Sequence, residues 1–104
     1  MVINQVLSVN KKTIRLTDER WIHITDNHTE IAGLQQEVLE TIYAPDFIAK
    51  GTYEELYAIK KFGHLGNYMV VVYKEEKDGG FIITAFRARD IRPYMRKEIV
   101  WNKP

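Results

Sequence analysis

Two histidines near the start of the chain are the side chains best suited to chemistry. His23 and His28 lie five residues apart in the segment Arg20–Glu30, which reads RWIHITDNHTE. Imidazole is the side chain that exchanges protons readily near neutral pH. We therefore expect one histidine to act as a general acid or base, while the other orients it, takes the opposite role or binds phosphate.

The spacing of these histidines argues against a metal site. Histidines that bind one metal from a helix lie four residues apart, whereas a spacing of five turns them about 140° from each other. The chain has no cysteine to complete a tetrahedral site. We predict no metal and no cofactor. The structural alternative is that His23 half-buries beside Trp21 while His28 ends a helix. His64 is expected in a surface loop.

The last predicted strand, Phe81–Arg89, carries one hydroxyl group on an otherwise apolar face. Alternation places Ile82, Thr84, Phe86 and Ala88 on that face. A hydroxyl over a cleft can bind a phosphate oxygen, although threonine is also common in ordinary strands. Arg87 and Arg89 follow on the opposite face, and the planar guanidinium group suits phosphate.

The first half of the chain predicts a hairpin followed by two helices. Val2–Ser8 and Thr13–Leu16 alternate as short strands. Thr17 is a good N-cap for a helix that runs to about Asp26, with two acidic residues in its first turn. Thr29 can cap a second helix, which is slightly weakened by Gly33 and which ends at Ala44 because a proline follows.

Four strand candidates and a basic tail make up the rest. The strands are Phe47–Lys50, Leu56–Phe62, Tyr68–Lys74 and Phe81–Arg89. The third is apolar on both faces and is expected to be central. The tail, residues 93–104, ends in an edge strand or an irregular cover that contains Trp101. The order ββααββββ predicts an α+β fold, with two N-terminal helices packed on a twisted antiparallel sheet in a single domain, residues 1–104.

Composition indicates an ordinary globular domain with a basic end. The 104 residues are 45% hydrophobic and 28% charged. The absence of cysteine, of a long apolar run and of a secretion signal favours the cytoplasm and no membrane partner. Residues 81–104 carry 6 Lys and Arg against 2 Asp and Glu. This end suits local contact with phosphate, or it is simply a solvated rim.

Several motifs together resemble one group of nucleases. They are RWxHIxxxHxE from Arg20, VLxxIxxPD from Val38, VVVYK from Val70 and IITAF from Ile82. They look like the phage-type families that are grouped with barnase, EndoU, the colicin tRNases and the RelE toxins. The resemblance implies a barnase-like or RelE-like α+β domain and metal-independent endoribonuclease activity, often that of a toxin restrained by an antitoxin. Where these families usually have the motif His-Pro-Glu, this chain has His28-Thr-Glu.

The resemblance and the residue types together give the predicted site. The expected catalytic residues are His23, His28, Lys60, Thr84 and Arg87, and the expected RNA-binding residues are Lys74, Tyr73, Arg89 and Arg92. RNA, such as a tRNA, would be cut by attack of its 2′-hydroxyl, which leaves a 2′,3′-cyclic phosphate. One alternative is a non-catalytic module that binds RNA or protein on the same scaffold. Another is a structural partner in a larger complex, which uses Trp101 and the basic tail as its interface.

Overall fold

A computed structural model describes residues 1–63 and 67–104, which form a sheet of seven strands with three α-helices and one 3₁₀ turn. The strands are β1 (Val2–Leu7), β2 (Thr13–Thr17), β3 (Phe47–Lys50), β4 (Leu56–Lys61), β5 (Tyr68–Glu76), β6 (Gly79–Ala88) and β7 (Glu98–Asn102). The helices are α1 (Asp18–Asn27), α2 (Gln35–Tyr43) and α3 (Arg92–Met95), and the 3₁₀ turn is Thr29–Ile31.

The N-terminal hairpin and the first helix confirm their predictions. β1 and β2 pair antiparallel, and Lys11 takes a positive φ of 64° in the turn that joins them. The Oγ1 atom of Thr17 accepts a hydrogen bond from the backbone N–H of Arg20 at 3.1 Å, so Thr17 caps α1. Ile24 is the buried residue of this helix. α1 ends at Asn27, one residue beyond the predicted end.

The prediction of one continuous second helix from Thr29 was wrong. The segment starts as a 3₁₀ turn, and α2 begins only at Gln35, after Gly33 with a φ of +86°. That left-handed conformation suits glycine and interrupts a right-handed helix. α2 then buries Val38, Leu39, Thr41 and Ile42 against the sheet.

The strands lie in the order β1-β2-β6-β5-β4-β3-β7. β5 is the middle strand, as the apolar run at Met69–Tyr73 predicts, and all five residues of that run are buried. The tail forms β7, an edge strand beside β3. An edge strand was one of the two structures predicted for the tail, and an irregular cover was the other. Trp101 is partly buried against the core, which leaves less of its ring for an interface.

The predicted fold class, an antiparallel ββααββββ sheet with two N-terminal helices, was wrong. The sheet is mixed, because β2 runs parallel to β6 through the pairs Ile14–Gly80 and Arg15–Phe81. Two strands precede the helices, which are therefore embedded in the chain, and α3 and β7 follow β6. The parallel contact joins segments more than 60 residues apart through only two pairs. No local pattern in the sequence encodes such a contact.

A β-bulge decides which side chains of β6 face the helices. The pairing of β5 with β6 shifts between Val72, which lies opposite Thr84, and Tyr73, which lies opposite Ile82. Ile82 and Ala85 therefore both join the core under α1 and α2, together with Tyr73. Thr84 and Phe86 lie on the other side of the sheet. Simple alternation predicted that Ile82 and Thr84 share one face of β6. The bulge puts them on opposite faces, so that prediction was wrong.

Among the described residues, no helix combines the length and the apolar character needed to cross a membrane.

Candidate functional site: an aromatic and cationic cleft

The side of the sheet away from α1 and α2 carries an open cleft of about 640 Å³. Val72 and Thr84 from the paired strands β5 and β6 lie on its floor. The complete lining is Tyr53, Glu55, Tyr57, Val72, Lys74, Ile83, Thr84, Phe86, Tyr94 and Lys97. The lining combines aromatic rings, two lysines, one carboxylate and one aliphatic hydroxyl group.

Four rings form a continuous row along the cleft. The centres of the Tyr57 and Tyr94 rings lie 5.5 Å apart, and those of Tyr94 and Phe86 lie 6.4 Å apart. The row ends at His28, whose ring centre lies 5.4 Å from that of Phe86. These rings come from β4, α3, β6 and the end of α1. The short helix α3, which has Pro93 in its first turn, brings Tyr94 back over the sheet.

Glu55 is the carboxylate of the cleft, and its oxygens are both hydrogen-bonded. The backbone N–H of Tyr53 donates to Oε1 at 2.9 Å, and the hydroxyl of Tyr57 donates to Oε2 at 3.0 Å. Burial works to raise the pKa of Glu55, but these donors and the charge of Lys97 outweigh it and lower the pKa. Burial and the bond to Glu55 raise the pKa of Tyr57 to about 12. The pair is therefore a carboxylate and a neutral phenol at neutral pH.

Two lysines bring positive charge to the cleft. The ammonium group of Lys97 lies 5.0 Å from the centre of the Tyr57 ring, a cation–π contact. Lys74 lies on β5, two residues beyond Val72 on the same side of the strand, and is only partly buried. Both ammonium groups can bind phosphate oxygens of a ligand.

The segment His28–Glu30 lies along the part of β6 that β2 leaves unpaired. An oxygen of Glu30 accepts the backbone N–H of Arg87 at 3.4 Å, and Nδ1 of His28 lies 4.0 Å from the same oxygen. The Glu30 bond ties this segment to β6, where the His28 ring contacts that of Phe86 at the end of the cleft. The His-x-Glu motif thus has a local structural role beside β6. The side chain of His28 stays 36% exposed.

The structure brings together only part of the predicted catalytic set. Thr84 lines the cleft and His28 lies beside it, but His23 is exposed in a separate groove with Thr17, Glu19 and Arg20. The structural alternative predicted that His23 is half-buried beside Trp21. His23 is instead exposed, so that prediction was wrong. Lys60 points to the helix side of the sheet, because its Nζ donates to the carbonyl of Ala44 at 2.8 Å and so caps α2.

The remaining predicted residues lie outside the cleft, apart from Lys74. Arg87 and Arg89 line a neighbouring groove of about 240 Å³, where the Arg87 guanidinium lies 4.9 Å from the centre of the Phe62 ring. Tyr73 is fully buried in the core, so it cannot contact RNA. Arg92 forms a two-point ion pair with Asp90 at 2.8 and 2.9 Å. His64 falls outside the described residues.

Sequence reasoning missed Glu55 and Tyr94, and it counted Lys97 only among the cations of the basic end. Glu55 lies in the turn between β3 and β4, and its sequence signal is only its place directly before the predicted strand Leu56–Phe62. Tyr94 and Lys97 lie in the tail, which the sequence left as a strand or an irregular cover. Their spacing of three residues, directly after Pro93, was the available signal for a helical turn facing the sheet.

Comparisons with protein-family models, with curated proteins and with solved structures find no match to this chain.

Proposed function

We propose that the protein is a metal-independent endoribonuclease that binds single-stranded RNA in the cleft. The observation that carries the proposal is the row of rings formed by Tyr57, Tyr94 and Phe86, with Lys74 and Lys97 in the same lining. Bases of unpaired RNA stack on aromatic side chains, while lysines bind the backbone phosphates. An open cleft suits a strand that enters and leaves at its ends.

The chemistry we propose is attack of a 2′-hydroxyl group on the adjacent phosphorus. The attacking oxygen loses its proton to a base, the bond from phosphorus to the 5′-oxygen breaks, and an acid protonates that leaving oxygen. The product is a 2′,3′-cyclic phosphate. A positioned acid or base contributes about 10²- to 10⁴-fold, and cationic donors aimed at the phosphate oxygens contribute further.

We assign the catalytic roles to residues in or beside the cleft, and this set differs from the catalytic residues predicted from the sequence. His28 keeps its proposed role in proton transfer, because it is the histidine beside the cleft. Glu55 does not take the opposite role, because it bonds to Tyr57 at the other end of the row of rings from His28; in this open cleft a water molecule takes that role. Lys74 and Lys97 replace Lys60 and Arg87 in stabilising the phosphate, and Thr84 positions it. His23 has no part in this assignment.

The resemblance to the phage-type nuclease families also suggests a role for the protein in the cell. We propose a cytoplasmic toxin-type ribonuclease that acts on RNA, such as a tRNA, and that a protein antitoxin restrains. Expression of the chain alone should slow growth, and expression of the His28→Ala variant should not. Normal growth at equal protein levels would remove the toxin role while leaving the reaction to be tested on its own.

A non-catalytic RNA-binding module is the second candidate, and one observation favours it. Both oxygens of Glu55 already accept hydrogen bonds within the protein, which suits a carboxylate that fixes the turn before β4. The rings and lysines of the cleft would bind RNA equally well without turnover.

Incubation with end-labelled single-stranded RNA in EDTA distinguishes the two functions. The ribonuclease proposal expects new 3′ ends that carry a 2′,3′-cyclic phosphate, identified by mass spectrometry, and no cleavage of the same sequence with 2′-deoxyriboses. Retention of intact RNA by the protein would instead support the binding module. Neither cleavage nor retention would contradict both functions.

A further inference from the structure

A second polar depression lies at the end of β6, and its Arg87 projects to the opposite side of the sheet from the cleft residues Thr84 and Phe86. Glu30, Asn67, Arg87, Ala88 and Arg89 line this groove, which has a volume of about 240 Å³. It contains two guanidinium groups and one carboxylate. Two guanidinium groups against one carboxylate leave the groove with an excess of positive charge, and the Glu30 carboxylate accepts the Arg87 backbone N–H at its rim.

The two guanidinium groups differ in how they are held. That of Arg87 lies over the Phe62 ring, 4.9 Å from its centre, so the contact limits its freedom. Arg89 is exposed, and within residues 1–63 and 67–104 its side chain forms no hydrogen bond or ion pair. An unpaired arginine beside a positioned one can supply a two-point contact to an anion at little cost in desolvation.

β6 contributes to both depressions from opposite sides of the sheet, since Thr84 and Phe86 face the cleft whereas Arg87 lies opposite the core residue Met69. A nucleic-acid strand that reaches both must therefore turn around the edge of β6 that β2 leaves unpaired. Thr84 and Phe86 line the cleft, and Arg87 and Arg89 line the groove, all on β6 or directly after it. From Thr84 to Arg89 the backbone advances about 16 Å at roughly 3.3 Å per residue. That is more than one nucleotide spans. His28 and Phe86 lie between the two depressions and offer rings to an intervening base.

We propose that the groove binds a backbone phosphate of a nucleotide that flanks the one in the cleft. The inference rests on the proposed binding of RNA and narrows the substrate to single-stranded RNA of several nucleotides rather than a dinucleotide. Arg89 is the main contact to this phosphate, and Arg87 supports it. Glu30 stabilises the groove through its hydrogen bond from the Arg87 backbone N–H and does not bind the ligand.

Binding of a labelled hexanucleotide and of a dinucleotide of the same sequence tests the proposal. Both carry 2′-O-methyl groups, so that neither can be cleaved. The hexanucleotide should bind the more tightly, and Arg89→Ala should weaken it about fivefold, the size expected for one exposed ion pair. The same variant should reduce the slope of log affinity against log salt by about 0.7, the value for one phosphate contact on a single strand. Its effect on the dinucleotide should be nil.

Arg20→Ala is the matched control, because Arg20 is also exposed but lines the separate groove that contains His23. Equal effects of Arg89→Ala and Arg20→Ala on the hexanucleotide would overturn the inference while leaving the cleft proposal intact. Equal affinity of the wild-type protein for the two lengths would do the same. Failure of the wild-type protein to bind either RNA would contradict both proposals.

Discussion

At the residue scale, His28 and His23 form a natural comparison. Both come from one helical segment, but only His28 contacts a ring of the cleft, and only His28 has a carboxylate, that of Glu30, within 4.0 Å. His23 projects from α1 into solvent on another part of the surface. The difference follows from their spacing of five residues, which turns the two side chains in different directions.

His28→Ala should therefore lower the rate of RNA cleavage about 10²- to 10⁴-fold, the contribution of a positioned acid or base. His23→Ala should leave the rate unchanged. The measurement is the single-turnover rate across a pH series, with far-ultraviolet circular dichroism to check folding. A loss of activity in His23→Ala with full activity in His28→Ala would reverse the assignment. His28→Gln, which keeps a polar planar group, separates proton transfer from packing.

Asp46 provides a pH-dependent test of stability. It accepts the Lys61 N–H at 2.7 Å and the Lys103 ammonium at 3.1 Å. Burial alone would raise its pKa, but these donors lower it below the ordinary 3.8. A lowered pKa in the folded state stabilises the protein above the unfolded value, and that contribution is lost as the pH falls through the folded value.

Asp46→Asn should reduce the free energy of unfolding by about 1 kcal/mol at neutral pH, since the partner Lys103 is exposed. The difference from the wild-type protein should shrink as the pH falls below 3.8. Urea titrations at several pH values measure it. Lys103→Ala removes only the ion pair and serves as the control. A difference that grows at low pH would contradict this account.

At the element scale, local patterns predict the hairpin, α1 and the central position of β5, because capping, alternation and apolar runs act within a few residues. The parallel contact of β2 with β6 and the β-bulge near Ile82 depend on distant segments, and sequence patterns miss them. The same division holds for the site. Thr84 and Lys74 are found from their own strands. Tyr94 and Lys97 reach the cleft only because α3 folds back over the sheet.

Gly80 tests how closely the strands pack here, since it lies where β6 passes between β5 and β2. A Cβ atom there would overlap the Lys74 carbonyl oxygen and lie 2.9 Å from Cδ1 of Ile14. Gly80→Ala should therefore destabilise the protein by about 3 kcal/mol, as overpacking does. Gly33→Ala meets open space but has a φ of +86°, so it should cost only about 1 kcal/mol. Urea unfolding compares the two, and equal costs would contradict the close approach at Gly80.

At the scale of the whole molecule, the net charge of +1 conceals an uneven distribution. The basic C-terminal region supplies Lys97 to the cleft and Arg87 and Arg89 to the groove, while most acidic residues lie earlier in the chain. Such a surface attracts RNA locally and rejects it elsewhere. Binding should therefore involve few phosphates and should depend on salt only moderately.

Lys74→Ala and Lys77→Ala remove the same charge from neighbouring positions of one hairpin. Lys74 lines the cleft, whereas Lys77 is an exposed turn residue outside it. We expect Lys74→Ala to weaken RNA binding about fivefold and to reduce the salt dependence by about one phosphate contact. Lys77→Ala should change neither. Fluorescence anisotropy at several salt concentrations measures both, and equal effects would indicate nonspecific attraction.

The measurement that tests the cleft most directly is a titration of the ¹⁵N-labelled protein with uncleavable single-stranded RNA, followed by the backbone amide chemical shifts. The largest changes should occur at Tyr57, Thr84, Phe86 and Tyr94, with little change on the exposed side of α1 around His23. Changes concentrated around His23, or absent from the cleft at saturating RNA, would contradict the cleft proposal.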